Sequence, residues 1–166
     1  HRRRPSVAPD DLRQSAADAA LAAAALGQGR RLDLLSLTLL AIALAALLLT
    51  ATSRPTATLL ALSAAAGLAQ RYFAFRCDLD ARIFSYWANR WSTLPAPDQS
   101  ADLGAFDRAL SLVFGMQVPP SAAPRPLAER IRGALRLLRG QTLALALQLA
   151  SLLGAILWRL CQTGVP

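Results

Sequence analysis

Two stretches of nineteen residues, 34–52 and 140–158, contain no charged side chain. As a helix each is about 28 Å long, the thickness of a bilayer's hydrocarbon core. A soluble chain of 166 residues can bury one good core without apolar runs of that length. Residues 143–147 alternate Leu and Ala like a strand, but the length of the run and its Ala and Leu content select a helix.

A third run follows the first after a very tight turn, Ser53-Arg54-Pro55. Proline suits the first turn of a new helix and cannot continue the old one, so spans 34–52 and 56–75 are expected to form a hairpin. The second span has fifteen uncharged residues before Arg71. It reaches residue 75 if Arg71 extends its guanidinium group to the headgroups. Small residues mark helix contacts: Ser63 and Gly67 on the second span, and Ala150 and Gly154 on the third, have the spacing that lets backbones approach closely. Gln148 lies near the middle of the third span, where a lone amide is costly unless another helix bonds to it.

The expected fold class is all-α: an integral membrane protein with three transmembrane helices, an N-terminal hairpin plus a third span, and amphipathic cytoplasmic helices between spans two and three. Residues 1–31 form a basic arm and an Ala-rich helix over 10–26. The chain opens on His1 rather than Met, which leaves a preceding segment open, and the visible start lacks the short apolar core of a signal peptide. Arg2, Arg3 and Arg4 suit either attachment to an anionic surface or a topogenic charge cluster. Residues 32–75 are the hairpin, 76–139 the cytoplasmic helices, and 140–166 the third span with a short outer tail.

Seven of the ten aromatic residues lie between Gln70 and Trp91, where the second span is expected to leave the bilayer. The helical period continues through Leu79, Ile83, Trp87 and Trp91, so one helix is expected from about Pro55 to about Ser92. Trp87 and Trp91 suit either an interfacial aromatic belt or a partner-binding surface. Ser100 is expected to cap a helix ending near Gly115, with Leu103, Phe106 and Leu110 on one stripe. A Pro-rich linker, 118–126, leads to a basic amphipathic helix over 127–139.

Charge sets orientation. The net charge is +8, carried by eighteen arginines. With the N-terminus inside, only Arg54 and Arg159 face outward, which places the protein in a bacterial inner membrane with a cytoplasmic N-terminus and a periplasmic C-terminus. Arg71, Arg76, Arg132, Arg136 and Arg139 are then placed to meet anionic lipid headgroups. Because the arginines bracket the membrane ends rather than form one patch, no nucleic acid is expected.

Reactive groups are sparse. The only histidine is His1, Cys77 and Cys161 lack zinc or redox spacing, and Asp78 and Asp80 point to different faces. Asp98, Asp102 and Asp107 read as cap and surface acids. The expectation is a non-enzyme with no cofactor, metal site or small-molecule substrate. Its partners are other membrane-protein subunits or itself, and anionic lipid. The expected role is a small accessory or scaffolding subunit of a larger membrane complex; the alternative is a self-associating channel or membrane-perturbing effector.

Overall fold

Every regular element in the computed structural model, which describes residues 9–49, 53–94, 98–115 and 125–164, is a helix. In order they are α1 (Pro9–Gly27), α2 (Gly29–Leu49), α3 (Arg54–Thr93), α4 (Gln99–Phe114) and α5 (Leu127–Thr163). Asp10 and Asp11 place negative charge in the first turn of α1, where exposed N–H groups favour it. A single turn residue, Gln28, separates α1 from α2. The Ser53 carbonyl accepts the Ala57 N–H at 2.9 Å, with Pro55 in the first turn of α3. That helix then continues for 40 residues, across the whole stretch expected for it.

Two local details differ from the sequence reading. Asp98 rather than Ser100 caps α4: its carboxylate accepts the Ala101 N–H at 3.0 Å, and the Ser100 hydroxyl donates to the same oxygen. A carboxylate next to the N-terminal dipole is the better acceptor there. Gly115, in the left-handed region at φ 65°, closes the helix by donating its N–H to the Ser111 carbonyl. At the other end, the basic segment from Leu127 and the apolar run from 140 are one unbroken helix. Most of the Pro-rich linker, residues 118–124, lies outside the described residues, as do 50–52 at the hairpin tip.

The stretches Asp10–Leu49 and Leu127–Gln162 are long and apolar enough to cross a membrane, with mean hydropathy of 2.5 and 1.8 over their most apolar windows. Residues 56–75 of α3 are not among these stretches, because alanine there takes the place of leucine and Gln70 and Arg71 interrupt the run.

The chain forms two compact units. Unit 1 gathers His1–Ala24 and Asp80–Ala134; unit 2 gathers Ala25–Leu79 and Leu135–Pro166. Helices α1, α3 and α5 contribute to both.

Within unit 2, α2, α3 and α5 pack with a seven-residue repeat. Gly29 and Ser36 of α2 bond to Gln141 and Gln148 of α5, each pair 112 residues apart, so these helices run parallel. Helix α3 is antiparallel to both: Ser63 bonds to Gln148, whereas Phe73 meets Gly140 and Leu59 meets Gly154. The buried positions Thr56, Leu60, Ser63, Gly67, Gln70, Ala74 and Cys77 alternate steps of four and three along α3, the spacing of a left-handed supercoiled seam. At the hairpin end the seam is apolar, with Ala43, Leu60, Leu152 and Ala155 against Leu39, Ala46, Leu47 and Leu59. Further along it is polar, whereas the outward positions carry Leu34, Leu48, Leu49, Leu68, Leu143 and Leu157.

Unit 1 is built differently. Ala16, Ala19 and Ala22 of α1 are buried, as are Phe84, Trp87 and Trp91 of α3, Leu103 of α4 and Ala134 of α5. Here large aromatic rings, rather than small polar side chains, fill the interior.

Candidate functional site

The polar seam of unit 2 is centred on Gln148, which is fully buried. Its Nε2 donates to the Ser36 carbonyl at 3.0 Å, and its Oε1 accepts the Ser36 hydroxyl at 2.6 Å. The Ser63 hydroxyl donates to the Gln148 main-chain carbonyl at 3.1 Å. One residue of α5 is therefore bonded to both other helices. Such bonds between helices stabilise a membrane bundle by about 0.6 kcal/mol each on average.

Gly67 makes room for this arrangement. A Cβ at that position would lie 2.7 Å from Gln148 Nε2 and 3.3 Å from Leu40 Cβ. Ser63 and Gly67 thus act as a pair, the first bonding to α5 and the second admitting the Gln148 side chain. The second small pair is placed differently. Ala150 is exposed, and Gly154 is half-buried, with its open side at ordinary contact distance from Leu59.

One heptad from Gln148, Gln141 Nε2 donates to the Gly29 carbonyl at 2.7 Å. Gln70 is also fully buried, seven residues along α3 from Ser63. Arg71 forms an ion pair with Asp33 across α3 and α2. Its charge is therefore paired within the protein, while the side chain stays partly exposed. Arg76 is half-buried, and its Nε has no partner among the described residues. Arg132, Arg136 and Arg139 are exposed and point their charge outward.

In unit 1, Trp87 and Trp91 are packed inside, each 3% exposed. Their rings stack with planes 2° apart, and Trp87 meets Phe84 and Phe106 edge to face. Arg130 of α5 lies over both Trp87 and Phe106, 5.7 and 5.5 Å from the ring centres, and bonds Asp107 at 2.6 Å. Asp102 accepts from Arg90 at 2.9 Å and from the Trp91 indole at 3.0 Å. The Asp102 bond and charge hold the Arg90 pKa above its already high ordinary value. That stabilisation is present at every pH below the arginine range and is lost only in strong alkali, so Arg90 gives no pH dependence near neutrality. Asp102 and Asp107 are thus structural partners that fasten α4 to α3 and α5, not solvent-facing acids.

A groove of about 660 Å³ runs between α1 and α3 in the same unit. Leu12, Ala16, Ala17 and Ala20 form one wall, and Ala88 and Trp91 are on the other. Among the described residues no three His, Cys, Asp or Glu side chains gather where they could hold a metal ion.

Sequence reasoning missed Ser36, Gln70 and Gln141. Each lies seven residues from another seam residue of its own helix, a signal that is present in the sequence but weak until the helices are aligned.

Comparison with known proteins gives no match: no family model fits the chain, and neither a curated protein nor a solved structure is similar to it.

Proposed function

We propose that this chain is a small non-catalytic accessory or scaffolding subunit of a bacterial inner-membrane complex, embedded through unit 2. The observation that carries the membrane reading is the inverted distribution of side chains in that unit. Ser36, Ser63, Gln70, Gln141 and Gln148 lie inside, while leucines of all three helices face out. In water that arrangement exposes the apolar surface and buries the polar groups, whereas in lipid the leucines are solvated and the polar groups are kept from the hydrocarbon. Helix α3 is poor in leucine, but Thr56, Ser63 and Gln70 face the seam and Leu62, Leu68, Tyr72 and Phe75 face out. We therefore include residues 56–75 as a third span, with the N-terminus cytoplasmic and the C-terminus periplasmic.

The accessory role rests on what the chain offers outside the span. The groove of unit 1 has a floor of alanines, Leu12 and Trp91 with Arg13, Asn89 and Ser92 also in its lining, a shape that admits an amphipathic segment of another subunit. The alternative of a channel along the seam finds less support, because Gln148, Ser36 and Ser63 fill that seam and bond to one another.

Extraction from native membranes in mild detergent, followed by mass spectrometry of the intact assembly, tests the proposal. A defined complex with other membrane proteins is expected. A homo-oligomer alone overturns the subunit reading in favour of self-association. Topology can be read from the natural cysteines, since Cys161 is exposed and Cys77 is buried. An impermeant maleimide added to spheroplasts is expected to label the wild-type chain at Cys161; labelling only after lysis would reverse the orientation.

A further inference from the structure

The two polar layers of unit 2 are one heptad apart and each contains a buried glutamine of α5, but they are not equally satisfied. In the first, Gln148 uses both ends of its amide and its main-chain carbonyl, and both serines are bonded. The second contains Gly29, Gln70 and Gln141, reached by moving seven residues along each helix from Ser36, Ser63 and Gln148. Here only Gln141 Nε2 is used. Gln141 Oε1 and both amide atoms of Gln70 are buried without a protein partner among the described residues. Asp33, four residues from Gly29, bonds to Arg71 through one carboxylate oxygen, while its other oxygen is buried and unpartnered.

Four unanswered polar atoms at one end of a bundle form a destabilised layer, since a buried donor or acceptor without a partner loses its water and gains nothing. The layer is also tight. A Cβ on Gly29 would lie 2.7 Å from Gln141 Oε1. Next to it, the helical run from α1 to α2 is interrupted at Gln28, between Gly27 and Gly29, and Gly27 has open space around it. An interruption flanked by glycines is a natural hinge for the first turn of α2.

We propose that the Gly29–Gln70–Gln141 layer is a hydration gate: the first turn of α2 unwinds next to Gln28, the layer parts, and water enters to bind the Gln70 amide, Gln141 Oε1 and Asp33. Water is the ligand that fits these groups. Neutral amides supply both donors and acceptors, and the carboxylate is already neutralised by Arg71. The Ser36–Ser63–Gln148 layer stays closed and sets the depth that water reaches. The gate is a property of unit 2 alone and does not depend on which partner binds unit 1.

Side-chain amide exchange in the full chain, labelled at glutamine and reconstituted in nanodiscs, provides the test. The Gln70 amide protons are expected to exchange with water at least tenfold faster than those of Gln148 and to show cross-peaks to water. Gln70→Leu, which removes two unanswered groups, is expected to raise the Tm and slow backbone exchange in the first turn of α2. Gln148→Leu is expected to lower the Tm. Equal protection of Gln70 and Gln148 would mean that Gln70 and Gln141 bond directly and the layer stays shut, which overturns the proposal. Loss of folding or a lowered Tm in Gln70→Leu overturns it as well.

Discussion

Gly67→Ala adds a single methyl group, and the structure specifies where that group would go. Its carbon would sit 2.7 Å from Gln148 Nε2, closer than unbonded carbon and nitrogen approach, with Leu40 Cβ at 3.3 Å on the other side. Gln148 is the group that must move, because Leu40 and the helix backbones are fixed by packing. Moving it breaks the 3.0 Å bond to the Ser36 carbonyl and the 2.6 Å bond from the Ser36 hydroxyl. Two interhelical bonds in a membrane bundle are together worth about 1–3 kcal/mol. Residual overpacking adds about 1 kcal/mol or more. The expected destabilisation is therefore about 2–4 kcal/mol, large for one methyl group. The decisive comparison is a double-mutant cycle with Gln148→Ala, read by unfolding of the reconstituted protein through steric trapping. Gln148→Ala already removes both side-chain bonds and clears the space, so adding Gly67→Ala to it is expected to cost less than about 0.5 kcal/mol, the usual margin of additivity. If the two substitutions simply add, the glycine does not serve the glutamine and the packing argument for the seam is wrong.

Other substitutions test unit 1 and the caps. Asp107→Ala leaves Arg130, whose side chain is only 10% exposed, with the Arg125 carbonyl but without its counter-charge; a loss of about 3 kcal/mol is expected by chemical unfolding monitored by tryptophan fluorescence. Trp87→Ala empties the space between Phe84, Trp91 and Phe106 and is expected to cost about 3–5 kcal/mol, with loss of near-UV dichroism. Asp98→Ala removes the cap of α4 and is expected to cost about 1 kcal/mol, mostly as faster amide exchange in the first turn of that helix, while Asp98→Ser is expected to retain most of it.

The helices were legible in the sequence because their limits are written locally. Pro55 in the first turn of α3, the acids at the start of α1 and Gly115 after α4 each act within one turn. Ser63, Gly67 and Gln148 also stood out, since small residues and a lone amide are unusual within apolar runs. What could not be read was that these three meet one another. Their contact depends on the alignment of α3 against α5, which is fixed by packing over residues 85 apart. The same holds for Asp102 and Asp107. On α4 alone they resemble surface acids, and only the approach of Trp91 and Arg130 from other helices makes them structural. Ser100 was a reasonable cap by residue type, but Asp98, two positions earlier, supplies a charged acceptor and uses the serine as a donor.

This internal use of the polar and aromatic groups constrains where a partner can bind. Small-residue faces, midspan amides and exposed tryptophans are common means of joining one membrane subunit to another. Here Ser63, Gly67 and Gln148 bond or pack against one another within unit 2, and Trp87 and Trp91 are packed within unit 1. Substituting them disturbs the fold first, so loss of a partner after such a change would not locate an interface. Residues that can report on binding are those that remain outward: Ala17 and Ala20 on the groove wall of α1, and Ala150 on α5. Ala20→Trp fills the groove from an exposed position of α1. If the groove seats another subunit, that variant folds normally, by near-UV dichroism and Tm, yet fails to co-purify with the complex. A partner retained at full stoichiometry would move the interface to the outward face of unit 2, where Ala150→Trp is the corresponding test.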